Sequence, residues 1–215
     1  MVHYTLRSVA LVALLSVVAC APKTDDAATQ TVAAAPAAGA HDMHGMDTPV
    51  TIPKGAMYTE ADVRFMQGMI AHHAQAIYMS RLAEANGANP RVLKLATKID
   101  QSQMTEINQM QGWLRANGQV APDTSSYHHV MMDGMLNEAQ LKELTAAKGA
   151  EFDRLFLTYM IMHHQGALKM VADLNATPGA AQDVDVSVFA NEVEVVQTAE
   201  IDAMNQLLYE LPTTP

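Results

Sequence analysis

Two adjacent histidine pairs, His72-His73 and His163-His164, stand among methionines at helical spacing, and these residues are the ones best suited to chemistry. They lie in the segments FMQGMIAHHAQAIYM (65–79) and FLTYMIMHHQGALKM (156–170). At an offset of 91, Phe65, Met69, Ile70, His72, His73, Ala76 and Met79 recur as Phe156, Met160, Ile161, His163, His164, Ala167 and Met170. Residues three and four apart share one face of a helix. Met69 therefore lies one turn before both His72 and His73, and Met79 two turns beyond His72. Met160 and Met170 stand in the same relation to His163 and His164, and Met66 and Met162 extend the set in their own copies.

Imidazole with thioether is a ligand set for copper, above all Cu(I), and for Ag(I). Thioethers need no deprotonation, so such a site tolerates mild acid better than a thiolate site. Zinc prefers thiolate, imidazole and carboxylate and suits these residues less well. A di-iron centre wants a glutamate three residues before each histidine, and neither pair has one, so iron also ranks below copper. Glu106 and Glu200 form a matched carboxylate pair at an offset of 94. They are read as hydrogen-bond partners that orient the histidines rather than as ligands. Adjacent helical residues point about 100° apart, so one helix does not bring both histidines of a pair to one ion. Which histidine of each pair turns inward is left open. A methionine stripe alone is ordinary core filler; the doubled histidine, occurring twice, raises the metal reading above it.

Two further clusters carry the same residue types. His41, Met43, His44 and Met46 fall within the run HDMHGMD, in a segment with no core for methionine to fill. His128, His129, Met131, Met132 and Met135 precede the second copy. The latter group reads either as a loop site or as an apolar plug on the end of a bundle.

The elements that position these residues are helical. Thr59 and Asp62 have the spacing of a capping box, and Asn89-Pro90 has that of an N-cap followed by proline. Asn86-Gly87, Asn117-Gly118 and Thr177-Pro178-Gly179 supply stops. The expected order is a long helix to Asn86, a second to Asn117, a short helix in NEAQLKELTAAKG, a third long helix over about 150–175 and a fourth over about 185–209. No strand pattern is evident. Gln103, Glu106, Ile107 and Met110 recur as Gln197, Glu200, Ile201 and Met204, so the second and fourth helices match as the first and third do. The chain is a duplicated helical hairpin, and two hairpins that cannot bury their apolar faces alone close into a four-helix bundle.

Composition agrees. The chain has 215 residues, 49% hydrophobic and 17% charged, which suits a globular core. A net charge of −10 argues against nucleic acid as a partner. One cysteine excludes a disulfide framework within the chain. Sixteen methionines are the compositional excess that the clusters above account for in part.

Residues 1–19 read as an export signal: Arg7 is followed by an apolar run, Val9 to Ala19, too short to span a bilayer. Val17-Val18-Ala19-Cys20 resembles a bacterial lipobox, which implies that Cys20 becomes the lipidated N-terminus. Cleavage there removes one basic residue and no acidic one, taking the net charge to −11. The expected product is exported and anchored to a membrane, facing the periplasm or the cell exterior. Residues 20–56 form an Ala/Thr/Pro-rich tether, and 57–210 the bundle, with repeats over about 57–118 and 137–210.

The blocks FMQGMIAHHAQAIYM, FDRLFLTYMIMHHQGALKM and MDGMLNEAQLKEL, together with the helices bearing Glu106-Ile107 and Glu200-Ile201, resemble the bacterial domain of unknown function 305 family. The resemblance covers about residues 57–210. It implies a ferritin-like bundle, an exported and often lipid-anchored protein, and copper binding through the His/Met motifs. It carries His72, His73, Met69 and Met79 over to the first motif, and His163, His164, Met160 and Met170 to the second. Metal ions are then the expected partners, with copper-transport or copper-resistance proteins beyond them.

The function expected is metal binding for copper buffering, delivery or tolerance. Two alternatives stand beside it: an oxidase acting on copper or iron, and a structural lipoprotein whose methionines only pack. No nucleophile–base pair or phosphate loop supports hydrolase or kinase chemistry, and no catalytic residue is assigned.

Overall fold

The computed structural model describes residues 49–211, and the expected export signal, Cys20 and the His41–Met46 cluster lie outside them. The described chain is all-helical: α1 (Glu60–Ala85), α2 (Pro90–Ala116), α3 (Glu138–Ala146), α4 (Gly149–Ala176) and α5 (Val184–Glu210), with a 3-10 turn at Thr124–His128. The four long helices form a four-helix bundle of two hairpins. α1 packs on α2 and α4 on α5, and the hairpins meet chiefly where α1 crosses α4. None of these helices is long and apolar enough to cross a membrane.

Local chemistry sets the boundaries. The Thr59 side chain accepts from the Asp62 amide while the Asp62 carboxylate accepts from the Thr59 amide, a reciprocal capping box. Asn89 caps α2 with proline at its first position. Asn137 and Gln140 form a second capping box at α3. Asp62 also reaches beyond its own helix. Its Oδ1 accepts the Ala181 amide at 2.7 Å, fastening the α4–α5 loop to the start of α1. Two residues on, Asp183 Oδ1 accepts the indole N–H of Trp113 at 3.1 Å, tying the loop to α2 as well. Asp62 is fully buried and accepts three bonds, so Asp62→Ala leaves several donors unpaired. A loss of about 2–4 kcal/mol in unfolding free energy is expected, read from urea denaturation of the variant.

α1 is the central helix. Every residue from Phe65 to Ile77 is buried, including four polar ones, Gln67, His72, His73 and Gln75. Its repeat partner α4 keeps exposed positions at Glu151, Arg154, Gln165 and Lys169. The difference comes from the long connection between α2 and α4, which carries the 3-10 turn and α3 and folds over the side of α1 that would otherwise face water.

The core falls into two apolar clusters, one at each end of the α1–α4 crossing. The first includes Phe65, Met66, Met69, Met110, Met132, Met135, Met170 and Phe189. The second includes Met79, Met160, Met204, Phe152, Phe156 and Leu157. Met69 thus shares a cluster with Met170, and Met79 with Met160. That exchange is what a two-fold relation between antiparallel helices demands: the early methionine of one copy sits beside the late methionine of the other.

Candidate metal centre

All four histidines of the two pairs have zero exposure. They differ in direction. His72 on α1 and His163 on α4 face each other across the crossing, with ring centroids 3.8 Å apart and planes inclined by 41°. Their neighbours, one residue on and so rotated about 100° around each helix, turn toward the hairpin partners. His73 Nε2 lies 2.6 Å from Glu106 Oε2 on α2. His164 Nε2 lies 2.9 Å from Glu200 Oε2 on α5. Each matched glutamate of the repeat therefore holds the outer histidine of its own hairpin.

These hydrogen bonds decide where the lone pairs are. A carbonyl only accepts, so His72 donates from Nε2 to the Asp133 carbonyl at 3.3 Å and its Nδ1 carries the lone pair. His73 and His164 direct Nε2 to carboxylates in the same way. The Nδ1 atoms of His72, His73 and His164 are buried without a hydrogen-bond partner. His163 is more extreme, since neither of its ring nitrogens has one. Buried polar atoms are nearly always satisfied, so five orphaned imidazole nitrogens at one crossing call for an explanation. Gln103 and Gln197, matched in the repeat, are also buried with their amide oxygens unpartnered.

Electrostatics keep the inner pair neutral. Burial lowers the His72 pKa to about 3, with the nearby His73 and His164 adding to the fall and the Asp133 carbonyl opposing it. Burial likewise pushes His163 well below the usual histidine range, reinforced by His72, His164 and His73 and opposed by a contact with the His72 backbone that is too poorly aligned to satisfy either ring nitrogen. Neutral imidazole is the metal-binding form.

The two glutamates are not equivalent. The Glu200 side chain is 3% exposed and lies 3.3 Å from the Lys98 ammonium, whereas that of Glu106 is 23% exposed. Burial pushes the Glu200 carboxyl up, but the hydrogen bond and charge of His164 and the Lys98 ammonium outweigh it, and the net shift is downward.

The methionines of the motifs bracket the histidine pair. Met69, Met79 and Met160 have zero exposure and Met170 is 5% exposed. Among the described residues no three His, Cys, Asp or Glu side chains form a ready ligand set, so a site at this crossing would draw on thioethers as well as imidazoles. The cluster before α4 divides. His128, His129 and Met131 are exposed, while Met132 and Met135 are buried in the apolar cluster that holds Met69 and Met170.

Three residues gained no role from the sequence. Gln75 grips the segment 130–136, its Oε1 accepting the Leu136 amide at 2.7 Å and its Nε2 donating to the Leu136 carbonyl at 3.0 Å. At the matching position of the second copy stands Gly166, where a Cβ would lie 1.9 Å from the Asp133 carbonyl oxygen. Gly134, at φ +80°, is equally tight: a Cβ there would lie 2.6 Å from the Met162 carbonyl oxygen and 2.9 Å from that of His163. The one available signal was that the repeat breaks between glutamine and glycine two residues past each histidine pair.

Comparison with known proteins agrees with the fold. A DUF305 fragment from Deinococcus radiodurans superposes with a TM-score of 0.63 at 32% identity, over 72% of this chain and 99% of that one. A DUF305 protein from Streptomyces coelicolor, described as a candidate secreted protein, gives 0.62 at 27% identity over 70% and 93%. CopM in its Cu(I)-bound form gives 0.55 at 29% identity over 69% and 95%. CopM is also similar in a silver-bound form, with a TM-score of 0.56 at 27% identity over 71% and 98%. An uncharacterised protein, L153 of Acanthamoeba polyphaga mimivirus, is 45% identical over 49 residues, which is 23% of this chain and only 32% of that relative's length. The model for the domain of unknown function DUF305 matches residues 62–208, which span both histidine pairs, both glutamates and nearly all of the four long helices, and the chain belongs to that family.

Proposed function

We propose that the protein binds a soft monovalent metal ion, Cu(I) foremost, at the crossing of α1 and α4, and serves to hold copper or hand it on outside the cytoplasm. The observation that carries this reading is His163, a fully buried imidazole with both nitrogens unpartnered, facing His72 at 3.8 Å. Unpaired, such a ring is a standing penalty to folding; with an ion to bind, it is a ligand. Three further Nδ1 atoms are freed by hydrogen bonds at Nε2, the arrangement that orients histidine ligands in metal proteins. The thioethers of Met69, Met79, Met160 and Met170 supply the softness that selects Cu(I) and Ag(I) over zinc. Glu106 and Glu200 act here through the histidines they orient. The relative CopM, solved with copper and with silver, supports the choice of metal.

Export and anchoring belong to the same reading. The apolar start, Cys20 as a lipidation site and the tether bearing His41, Met43, His44 and Met46 would place the bundle at a membrane surface with a capture segment beside it. His128, His129 and Met131 are further candidates for capture, being exposed.

Anaerobic titration of Cu(I) against a competing chelator tests the reading. Wild type is expected to retain Cu(I) in competition, and the double variant His72→Ala/His163→Ala to lose about a hundredfold or more in affinity, equivalent to about 2.7 kcal/mol. Circular dichroism of the metal-free variant checks that the bundle is intact. Equal stoichiometry and affinity in the folded double variant would reject a site at the crossing.

A further inference from the structure

The inner histidines are sealed, so an ion reaches them only if part of the protein moves. His73 and His164 turn toward α2 and α5, whereas His72 turns toward the segment Val130–Leu136, which lies along the α1–α4 crossing as a strap. The strap touches the His72 ring and the backbone of His163. Its Asp133 carbonyl accepts from His72, and its backbone at Gly134 packs against the α4 backbone from Met162 to Gly166, where no Cβ fits on either side. Lifting it would uncover the His72 ring, which lies 3.8 Å from that of His163.

The strap is also the part best able to lift. The helices beneath it satisfy their own backbone groups and pack through continuous apolar surface. The strap is non-helical and is held by the Gln75 side chain on Leu136, by the Lys169 ammonium 3.1 Å from the Asp133 carboxylate, and by four buried apolar side chains, Val130, Met132, Met135 and Leu136. A short non-helical segment, without a ladder of its own backbone hydrogen bonds, opens at lower free energy than the core helices it lies on. Gln75 is the firmest latch, because one buried amide satisfies both polar groups of one residue. The duplication shows that this is specific to the strap, since the same position in the second copy is the glycine that makes room for it.

The strap's own side chains run from outside to inside. Met131 is 53% exposed next to exposed His128 and His129, while Met132 and Met135 are each 6% exposed and lie in the cluster of Met69 and Met170. Soft donors therefore lead from solvent to the histidine pair along one short segment.

We propose that the strap Val130–Leu136 is the door through which the soft metal ion enters and leaves the His72–His163 pair, with Gln75 as its latch; this rests on the metal-binding reading above. An opening step that is the same with and without metal changes rates and leaves affinity alone.

The test uses Cu(I) transfer between the metal-loaded protein and a chromogenic Cu(I) chelator, followed by stopped-flow absorbance in both directions. Gln75→Ala is expected to raise the entry and release rate constants about tenfold or more, with Kd held within about threefold. Hydrogen exchange on the metal-free protein gives a second readout: the Leu136 amide should exchange faster in the variant while α1 and α4 keep their protection. Lys169→Ala, which removes an exposed latch and leaves the core untouched, is expected to raise both rates to a smaller extent, and it serves if Gln75→Ala fails to fold. Faster exchange at Leu136 with unchanged transfer rates in both variants would overturn the door while leaving the metal site standing. Equal Cu(I) binding by wild type and by folded His72→Ala/His163→Ala would overturn both.

Discussion

Replacing His163 by leucine is expected to make the metal-free protein more stable by about 1–3 kcal/mol, the desolvation penalty of buried polar atoms that find no partner. Core histidine substitutions ordinarily destabilise, because they remove a hydrogen bond or open a cavity. Here there is little to lose beyond a poorly aligned contact with the His72 backbone: neither buried ring nitrogen of His163 has a well-formed partner, and the ring is fully enclosed. Leucine is of similar size and brings no polar atom into the apolar ends that Met69 and Met170, and Met79 and Met160, define around the crossing. The same substitution removes a proposed ligand, so the stability added by metal should shrink. For wild type, Cu(I) held at a free concentration a thousandfold above Kd adds about 4 kcal/mol. In a domain of this size that corresponds to roughly 8–16 °C in Tm. Differential scanning fluorimetry of both proteins, with and without Cu(I) under anaerobic conditions, reads the two effects together. A leucine variant less stable than wild type in the absence of metal would mean that His163 is an ordinary packing residue. A gain without metal and a smaller gain with it would be the signature of a site that trades stability for function.

The second large effect is on pH. The inner histidines are neutral in the folded protein, the His72 pKa being lowered to about 3 and that of His163 lying well below its ordinary value. Unfolding returns both to about 6.5. Below that value the unfolded chain binds protons that the folded chain refuses, so the unfolded state is favoured as pH falls. The contribution of these residues to stability is fully present above about pH 6.5 and is lost on acidification, in the window from about 6.5 down toward 3 for His72. Each histidine removes about 1.4 kcal/mol per pH unit within the window, so the pair removes close to 3. Typical domain stabilities are about 5–15 kcal/mol, so the metal-free protein is expected to unfold near the bottom of the mildly acid range. Urea denaturation at a series of pH values from 7 to 4 measures the slope. His163→Leu should roughly halve it, and a flat profile in wild type would show that the inner pair does not stay neutral. A bound metal ion competes with protons for the same nitrogens, so the loaded protein should resist acid further than the metal-free one.

Much of this was legible in the chain. The two copies at an offset of 91 identified the histidine pairs and their methionines, and with the matched glutamates they required a two-hairpin bundle. Thr59–Asp62 and Asn89-Pro90 marked helix starts because capping is local: donor and acceptor lie within three residues. Membership of the DUF305 family followed from the same blocks.

Other features were not legible, for reasons that individual residues make plain. Periodicity tells which way a helix faces only when one side is polar. α1 is buried all round from Phe65 to Ile77, so nothing in its pattern distinguished His72 from His73. The tertiary structure made that choice: His72 meets a histidine 91 positions away, and His73 meets the carboxylate of Glu106 on the neighbouring helix. The strap was hidden for a related reason. Its meaning lies in contacts between Gln75 and Leu136, and between Gly166 and Asp133, and no local rule joins residues that far apart. The sequence by itself determined the residue types, the duplication and the helices, all of which depend on short-range chemistry or on likeness between two stretches of one chain. Tertiary structure decided which imidazoles face each other, which nitrogens are left without partners, and what covers them, because these follow from how two hairpins cross rather than from what either contains.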